Sequence, residues 1–216
     1  MKPLIIVGAG GFGREVACLV NDINQQRLEW NLLGFVDDED IKQTSESFPV
    51  IGVIDSICNL DPKPWVVIAI ADTKLRKKLA NRLGKMNIPL ATLIHPSVIR
   101  SEYINIGEGT IICAGVIITT NVRIGSHCII NLGSLIGHDT VLGDYTSMMP
   151  GTNLAGEVSV GEGCYFGLNS CVINRTSIGE WSVIGAGATV VDDIPAYSVA
   201  VGVPAQVIKK INRLGE

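Results

Sequence analysis

The sequence predicts an α/β Rossmann-like N-terminal domain followed by a left-handed parallel β-helix of hexapeptide repeats. Two periods and one glycine-rich turn carry this prediction. Stepping by six from Ile106 through Ile112, Ile118 and onward to Ile184 and Val190, every position is apolar. Glycine follows the apolar position at Gly107, Gly125, Gly143, Gly161 and Gly179, a spacing of eighteen residues. The third observation is Gly8-Ala9-Gly10-Gly11-Phe12-Gly13, a GxGxxG turn that follows the apolar run 4–7.

The hexad has a direct physical reading. Six residues make one short strand and a corner, and three of them close a triangular coil of eighteen. The large aliphatic points inward. The residue two before it, small or β-branched from Ile104 and Thr110 to Ser182 and Ala188, points inward as well. Coils then stack through backbone hydrogen bonds about 4.8 Å apart. Glycine at one corner is expected where a turn needs φ > 0 without a Cβ.

The N-terminal stretch alternates strands and helices, as a parallel α/β sheet requires. Residues 4–7 read as a buried strand and 14–23 as a helix. Residues 32–36 read as a strand ending in Asp37-Asp38, and 65–70 as a strand ending in Ala71-Asp72. A helix with Lys74, Arg76, Lys77 and Lys78 on its exposed side follows, and 90–94 is a candidate last strand. The domain boundary is placed between residues 1–94 and 95–216. Glycines at a helix N-terminus let a phosphate approach the backbone, and an acidic pair at the end of the next strand can hold ribose hydroxyls or a base edge. About 90 residues have room for roughly one mononucleotide half, so a nucleoside diphosphate is favoured over NAD. The competing reading is a turn used only for strand–helix packing.

Composition narrows the remaining classes. The chain has 216 residues, net charge −4, 47% hydrophobic residues and 5% aromatics. No basic groove with stacking rings is implied, so nucleic acid is not an expected partner. The four apolar residues before the first glycine are too few for a signal peptide or membrane span. The cysteines, Cys18, Cys58, Cys113, Cys128, Cys164 and Cys171, show no CxxC or zinc spacing. They are expected to be reduced, mostly small packing residues of a cytoplasmic protein.

Of the histidines, His95 and His127 are expected to be structural. His138 stands at an outward place, two after Ile136, and Asp139 follows it. A neutral imidazole held by a carboxylate is an effective general base. Neighbours on a strand face opposite ways, so the pair can meet only if the chain bends there. Positions eighteen apart stack, which puts Gly156 one coil above His138. With no side chain, Gly156 leaves room for a thioester, and its N–H is a candidate oxyanion donor. A zinc site of shared histidines is disfavoured because only His127 and His138 lie within the rod.

These residues together resemble a family. Residues 6–13, 34–38 and 94–96, Asn131 with Gly137-His138-Asp139, Gly167-Leu168-Asn169-Ser170 and Val201-Gly202-Val203-Pro204-Ala205 look like the bacterial hexapeptide acetyltransferases of nucleotide-linked amino sugars, with the related sialic acid O-acetyltransferases. The resemblance implies a cytoplasmic homotrimer that uses acetyl-CoA, and no metal, to N-acetylate a UDP- or GDP-linked amino-deoxy sugar by direct attack on the thioester. His138 matches the family base and Asp139 its acidic partner. Gly156, Gly167, Leu168, Gly185 and Ala186 match positions lining the acetyl-CoA site. Ser147 falls where some relatives have a second histidine. Gly10, Gly11, Phe12, Asp37, Asp38 and Ala71 match the nucleotide site, and Asn131 a residue close to the sugar. O-acetylation of a sugar such as sialic acid, a nucleotide-binding oxidoreductase and a non-enzymatic trimeric scaffold are the alternatives.

Overall fold

The computed structural model describes residues 1–38 and 49–211. The chain divides into two units, Met1–Pro96 and Ser97–Glu216, each taken by itself.

The first unit runs β1 (Lys2–Val7), α1 (Gly11–Gln26), β2 (Trp30–Val36), β3 (Val50–Gly52), β4 (Trp65–Ile68) and α2 (Thr73–Gly84). Its sheet has the order β3-β2-β1-β4 with every pair parallel. Leu4, Ile5, Ile6 and Val7 are fully buried, as a central strand covered on both faces demands. α1 turns Val16, Leu19, Val20 and Ile23 inward at helical spacing. It starts three residues earlier than periodicity indicated, because the glycine turn supplies the first helical positions.

Two expectations change. β3 is an additional strand, only three residues long and without a readable alternation. Arg76 does not lie on the exposed side of α2. It is fully buried, and its Nη1 donates to the carbonyls of Ile70 at 2.6 Å and Ala71 at 3.1 Å. A buried guanidinium is tolerable there because it satisfies chain-end carbonyls that the strand no longer pairs.

The second unit is a left-handed β-helix. Its short strands pair in parallel at an eighteen-residue offset: Ile130 with Met148, Ile136 with Leu154, Ile124 with Leu142. The inward aliphatics from Ile112 to Val190 are 0–4% exposed, while Ile106 is only half-buried. Inward hydroxyls are satisfied by corner carbonyls. Thr110 Oγ1 donates to Gly125 O at 2.9 Å, Thr152 Oγ1 to Met149 O at 2.7 Å and Ser170 Oγ to Gly167 O at 2.9 Å. Cys128 and Cys164 fill the same inward places, and burial pushes the Cys164 thiol up to about 12. The array ends in Ser198–Val201 paired antiparallel with Gln206–Lys210.

The expected reason for the periodic glycines is corrected. None of Gly107, Gly125, Gly143, Gly161 and Gly179 has positive φ. They stand where successive coils touch: a Cβ on Gly143 would lie 2.6 Å from the backbone nitrogen of Glu162. The left-handed residue comes two places later, the third after each inward aliphatic from Gly109 to Gly187. Non-glycine residues often hold it, such as Asn121 at φ 57 and Asp139 at φ 59.

This gives a testable contrast. Gly143→Ala forces backbone apart and is expected to cost about 1–3 kcal/mol. Gly133→Ala, at φ 64 with nothing within 4 Å of its Cβ, meets only the left-handed penalty of about 1–2 kcal/mol. Urea denaturation of both variants checks the order; a less stable Gly133→Ala would contradict the coil-contact account.

Candidate active site

The corner after Ile136 brings two polar side chains together. Asp139 adopts φ 59, and that left-handed turn removes the opposition of neighbours on an extended strand. Asp139 Oδ2 comes to 2.7 Å from Nδ1 of His138. The coils on either side hold the corner: the Asp139 N–H donates to Thr120 O at 3.1 Å, and the Glu157 N–H to His138 O at 2.7 Å. Both side chains remain about half exposed, 56% for His138 and 46% for Asp139. Asn121, one coil below, donates from Nδ2 to Asp139 Oδ1. That hydrogen bond first, and the His138 contact second, hold the Asp139 carboxyl below the ordinary carboxylate range.

Gly156 lies over His138 as the eighteen-residue register requires, but its missing side chain serves another purpose than expected. The room left by its missing side chain is taken by the imidazole itself: a Cβ there would collide with Nε2 and Cε1 of His138. The Gly156 N–H has no protein acceptor among the described residues.

The other β-helix residues singled out from sequence gather elsewhere. Asn131, Gly167 and Gly185 share one column at the preceding corner, with Leu168 and Ala186 next to them in register. Leu168 is 52% exposed and Ala186 is exposed. A Cβ on Gly167 would lie 2.5 Å from the Ala186 nitrogen, so this glycine serves coil stacking. Asn131 is buried, with Oδ1 accepting the Leu132 N–H at 2.7 Å. Ser147 is fully buried in the strand Ser147–Met148, between Ile129 and Tyr165. One chain therefore brings His138, Asp139 and Gly156 together and places the second group at a different corner.

In the first unit, a cavity of about 400 Å³ is lined by Gly10, Gly11, Phe12, Asp37 and Asp38 with an apolar wall of Ile54, Ala69, Ile70, Leu75 and Leu79. Ala71 is not part of the lining; its carbonyl accepts from Arg76. The four glycines of the turn divide by cause. Gly8 has φ 101, and a Cβ on Gly13 would run into Gly8 O, so packing requires both. A Cβ on Gly10 would meet nothing within 4 Å, and on Gly11 only the Arg14 side chain at 3.9 Å. Packing accounts for neither. Both open the N-terminus of α1 onto the cavity.

The two aspartates also differ. Asp37 Oδ2 accepts the Ala9 N–H at 2.9 Å and steadies the glycine turn. Asp38 accepts the Ile54 N–H at 3.0 Å and pairs with Arg82, which also grips Asp55 at 2.7 Å. The Arg82 hydrogen bond holds the Asp38 carboxyl below its ordinary range. Asp38 thus lines the cavity with its carboxylate already held by Arg82 and the Ile54 N–H. Sequence reading missed Arg82 and the apolar wall, since no period or motif marks them.

His95 Nε2 sits 3.2 Å from Asp22. His127 is buried and stacks on Tyr145, ring centroids 5.2 Å apart. Among the described residues, no group of three or more His, Cys, Asp or Glu could hold a metal ion, and no helix is long and apolar enough to cross a membrane.

Fold and corner define a left-handed β-helix protein of the hexapeptide-repeat class, joined in one chain to an α/β unit with a ligand-sized cavity. Comparison with known proteins narrows the class. Residues 3–83 match the family described as the PglD N-terminal domain. The UDP-N-acetylbacillosamine N-acetyltransferase of Bacillus subtilis is 40% identical over 114 residues, which span 50% of this chain and 50% of that protein. The GDP-perosamine N-acetyltransferase of Escherichia coli O157:H7 is 31% identical over 147 residues, 68% of this chain and 66% of that protein. The chain thus spans between half and two-thirds of the length of these curated relatives. The crystal structure of PerB from Caulobacter crescentus, in complex with CoA and GDP-perosamine, superposes with a TM-score of 0.88 at 32% identity, covering 97% of this chain and 98% of that one. The chain belongs to the hexapeptide-repeat sugar acetyltransferase family.

The Asp38–Arg82 contact makes a pH prediction. A depressed folded-state pKa contributes stability that is present above the ordinary carboxylate range and lost as pH falls through the folded value. Arg82→Met is therefore expected to be less stable than wild type at neutral pH, with the gap narrowing as pH drops below about 4. Thermal melts across pH check this, and a gap independent of pH would contradict it.

Proposed function

We propose that the chain is an acetyl-CoA-dependent N-acetyltransferase acting on the amino group of a UDP- or GDP-linked amino-deoxy sugar. The observation that carries the reading is the His138–Asp139 pair turned outward together at one β-helix corner. With Nδ1–H given to the carboxylate, Nε2 of His138 is left as the proton acceptor. Bound acetyl-CoA supplies the acetyl group as a thioester. His138 Nε2 takes a proton from the sugar amine as nitrogen bonds to the acetyl carbon, the carbon–sulfur bond breaks, and the imidazolium returns the proton to the departing sulfur so that CoA leaves as the thiol. Asp139 holds the tautomer and stabilises the imidazolium. The Gly156 N–H is a donor for the acetyl oxygen as charge builds on it. No step calls for a metal.

The nucleotide is assigned to the first unit. The free space at Gly10 and Gly11, where a helix of sixteen residues begins, suits a diphosphate. The apolar wall suits a base. The relatives divide between UDP and GDP sugars, so both nucleotides remain in the proposal.

A homotrimer fits the separation of the two corners. Leu168 and Ala186, exposed on one corner, and His138 with Gly156 on another can form one acetyl-CoA groove if a neighbouring subunit supplies the second wall. The cytoplasm, where nucleotide sugars and acetyl-CoA are made, is the compartment that fits.

A thermal-shift screen against acetyl-CoA, UDP, GDP, CMP and NAD tests the reading. Stabilisation by acetyl-CoA and by UDP or GDP is expected; a response to NAD alone would overturn it. His138→Ala is expected to lower turnover by about 10²–10⁴-fold while keeping the acetyl-CoA shift. Near-normal turnover would remove His138 from the chemistry.

A further inference from the structure

Asp139 has two carboxylate oxygens, and the corner uses both. Oδ2 faces Nδ1 of His138 at 2.7 Å. Oδ1 accepts from the side-chain amide of Asn121 in the coil below. We propose that Asn121 is a positioning residue for the transfer reaction: it anchors the Asp139 carboxylate so that Oδ2 stays on Nδ1 of His138 and the Nε2 lone pair keeps its aim. The proposal rests on the reading of His138 as the base.

The need for an anchor follows from exposure. An aspartate that is 46% exposed and has one partner can rotate about its side-chain torsions and trade that partner for water. A second hydrogen bond to the other oxygen removes that freedom, and its value depends on the rigidity of the donor. Asn121 is rigidly placed. It lies eighteen residues before Asp139, directly beneath it in the stack, and the backbones of the two corners are joined by the Asp139 N–H to Thr120 O bond at 3.1 Å.

The residue type fits the place. Asn121 and Asp139 both occupy the left-handed corner position, at φ 57 and φ 59. Glycine, aspartate and asparagine tolerate that conformation better than most residues, and of these three only asparagine carries a side-chain N–H donor. The same column continues upward with a second pair, Glu157 and Arg175, whose Nε to Oε1 distance is 3.1 Å. Arg175 thereby offsets the charge of Glu157, the carboxylate one coil above Asp139.

Two substitutions keep the corner backbone and change only the donor. Asn121→Gly deletes the amide, and Asn121→Asp replaces it with an acceptor of the same shape facing a carboxylate. The first readout is the ring of His138 in long-range ¹H–¹⁵N spectra of the full chain; with only 3 histidines, His138→Gln assigns it. The wild-type neutral ring is expected to be held as the Nδ1–H tautomer. Asn121→Gly, Asn121→Asp and Asp139→Asn are each expected to shift it toward a mixture. The second readout is turnover with acetyl-CoA and GDP-perosamine or a UDP-linked amino sugar. A fall in kcat of roughly tenfold for Asn121→Gly is expected, part of what a positioned base contributes, with KM for acetyl-CoA unchanged and a larger fall for Asn121→Asp. In an Asp139→Asn background, Asn121→Gly is expected to add nothing, whereas a purely structural rung would add its loss independently. A wild-type ring spectrum and wild-type kcat in Asn121→Gly would overturn the proposal. If His138→Gln kept its turnover, the base assignment would fail instead, and the ring spectra would still decide whether Asn121 orients the pair.

Discussion

Successive coils of the second unit are tied backbone to backbone at a fixed offset of eighteen residues, as in the pairing of Ile129 with Ser147 and of Ser147 with Tyr165. Everything else in the β-helix depends on that offset. It stacks the inward aliphatics into one continuous core. It brings the glycine column within van der Waals reach of the next coil's backbone, where a Cβ on Gly125 or Gly161 would lie 2.6 Å from the nitrogen of Asp144 or Glu180. It turns residues far apart in sequence into neighbours, so a site can be assembled from Asn121, His138, Asp139 and Gly156 across three coils. Parallel ladders of two-residue strands are weak singly, and the array gains from repetition what each rung lacks.

The corners share one backbone solution and differ in what they carry. Each places its third residue in the left-handed region, so the second and third side chains project together. In the column of His127 and Tyr145 the third residues of successive coils stack, their rings 5.2 Å and 3° apart. Trp181 lies over Gly163 in the same manner. At the corner of His138 it yields an imidazole and a carboxylate in hydrogen-bond contact beneath a glycine of the next coil. The scaffold is indifferent to the chemistry. Bulky residues at positive φ cost backbone strain of order 1–3 kcal/mol, which the stacking on either side must offset.

The first unit works by another logic. Its parallel sheet buries a short apolar strand, and the turn after that strand separates structural from available glycines: Gly8 and Gly13 are required by the fold, while Gly10 and Gly11 leave a helix N-terminus open to a cavity. Charges at the rim are arranged by mutual pairing. Arg82 draws Asp38 and Asp55 together, and buried Arg76 closes off the carbonyls beyond β4.

The sequence by itself determined the β-helix, its inward columns, the stacking of Gly156 on His138 and the α/β character of the first unit. Periodic folds write long-range contacts as constant offsets, so a count along the chain is already a map of neighbours. It did not determine why the periodic glycines are needed, because a sterically required glycine and a left-handed one look alike until the distance to the next coil is known. Only the tertiary structure decided that Arg76 is buried, that Arg82 engages Asp38 across 44 residues, and that Ser147 is enclosed. The 44-residue offset from Arg82 to Asp38 belongs to no period of the sequence, and burial depends on what surrounds a residue in three dimensions.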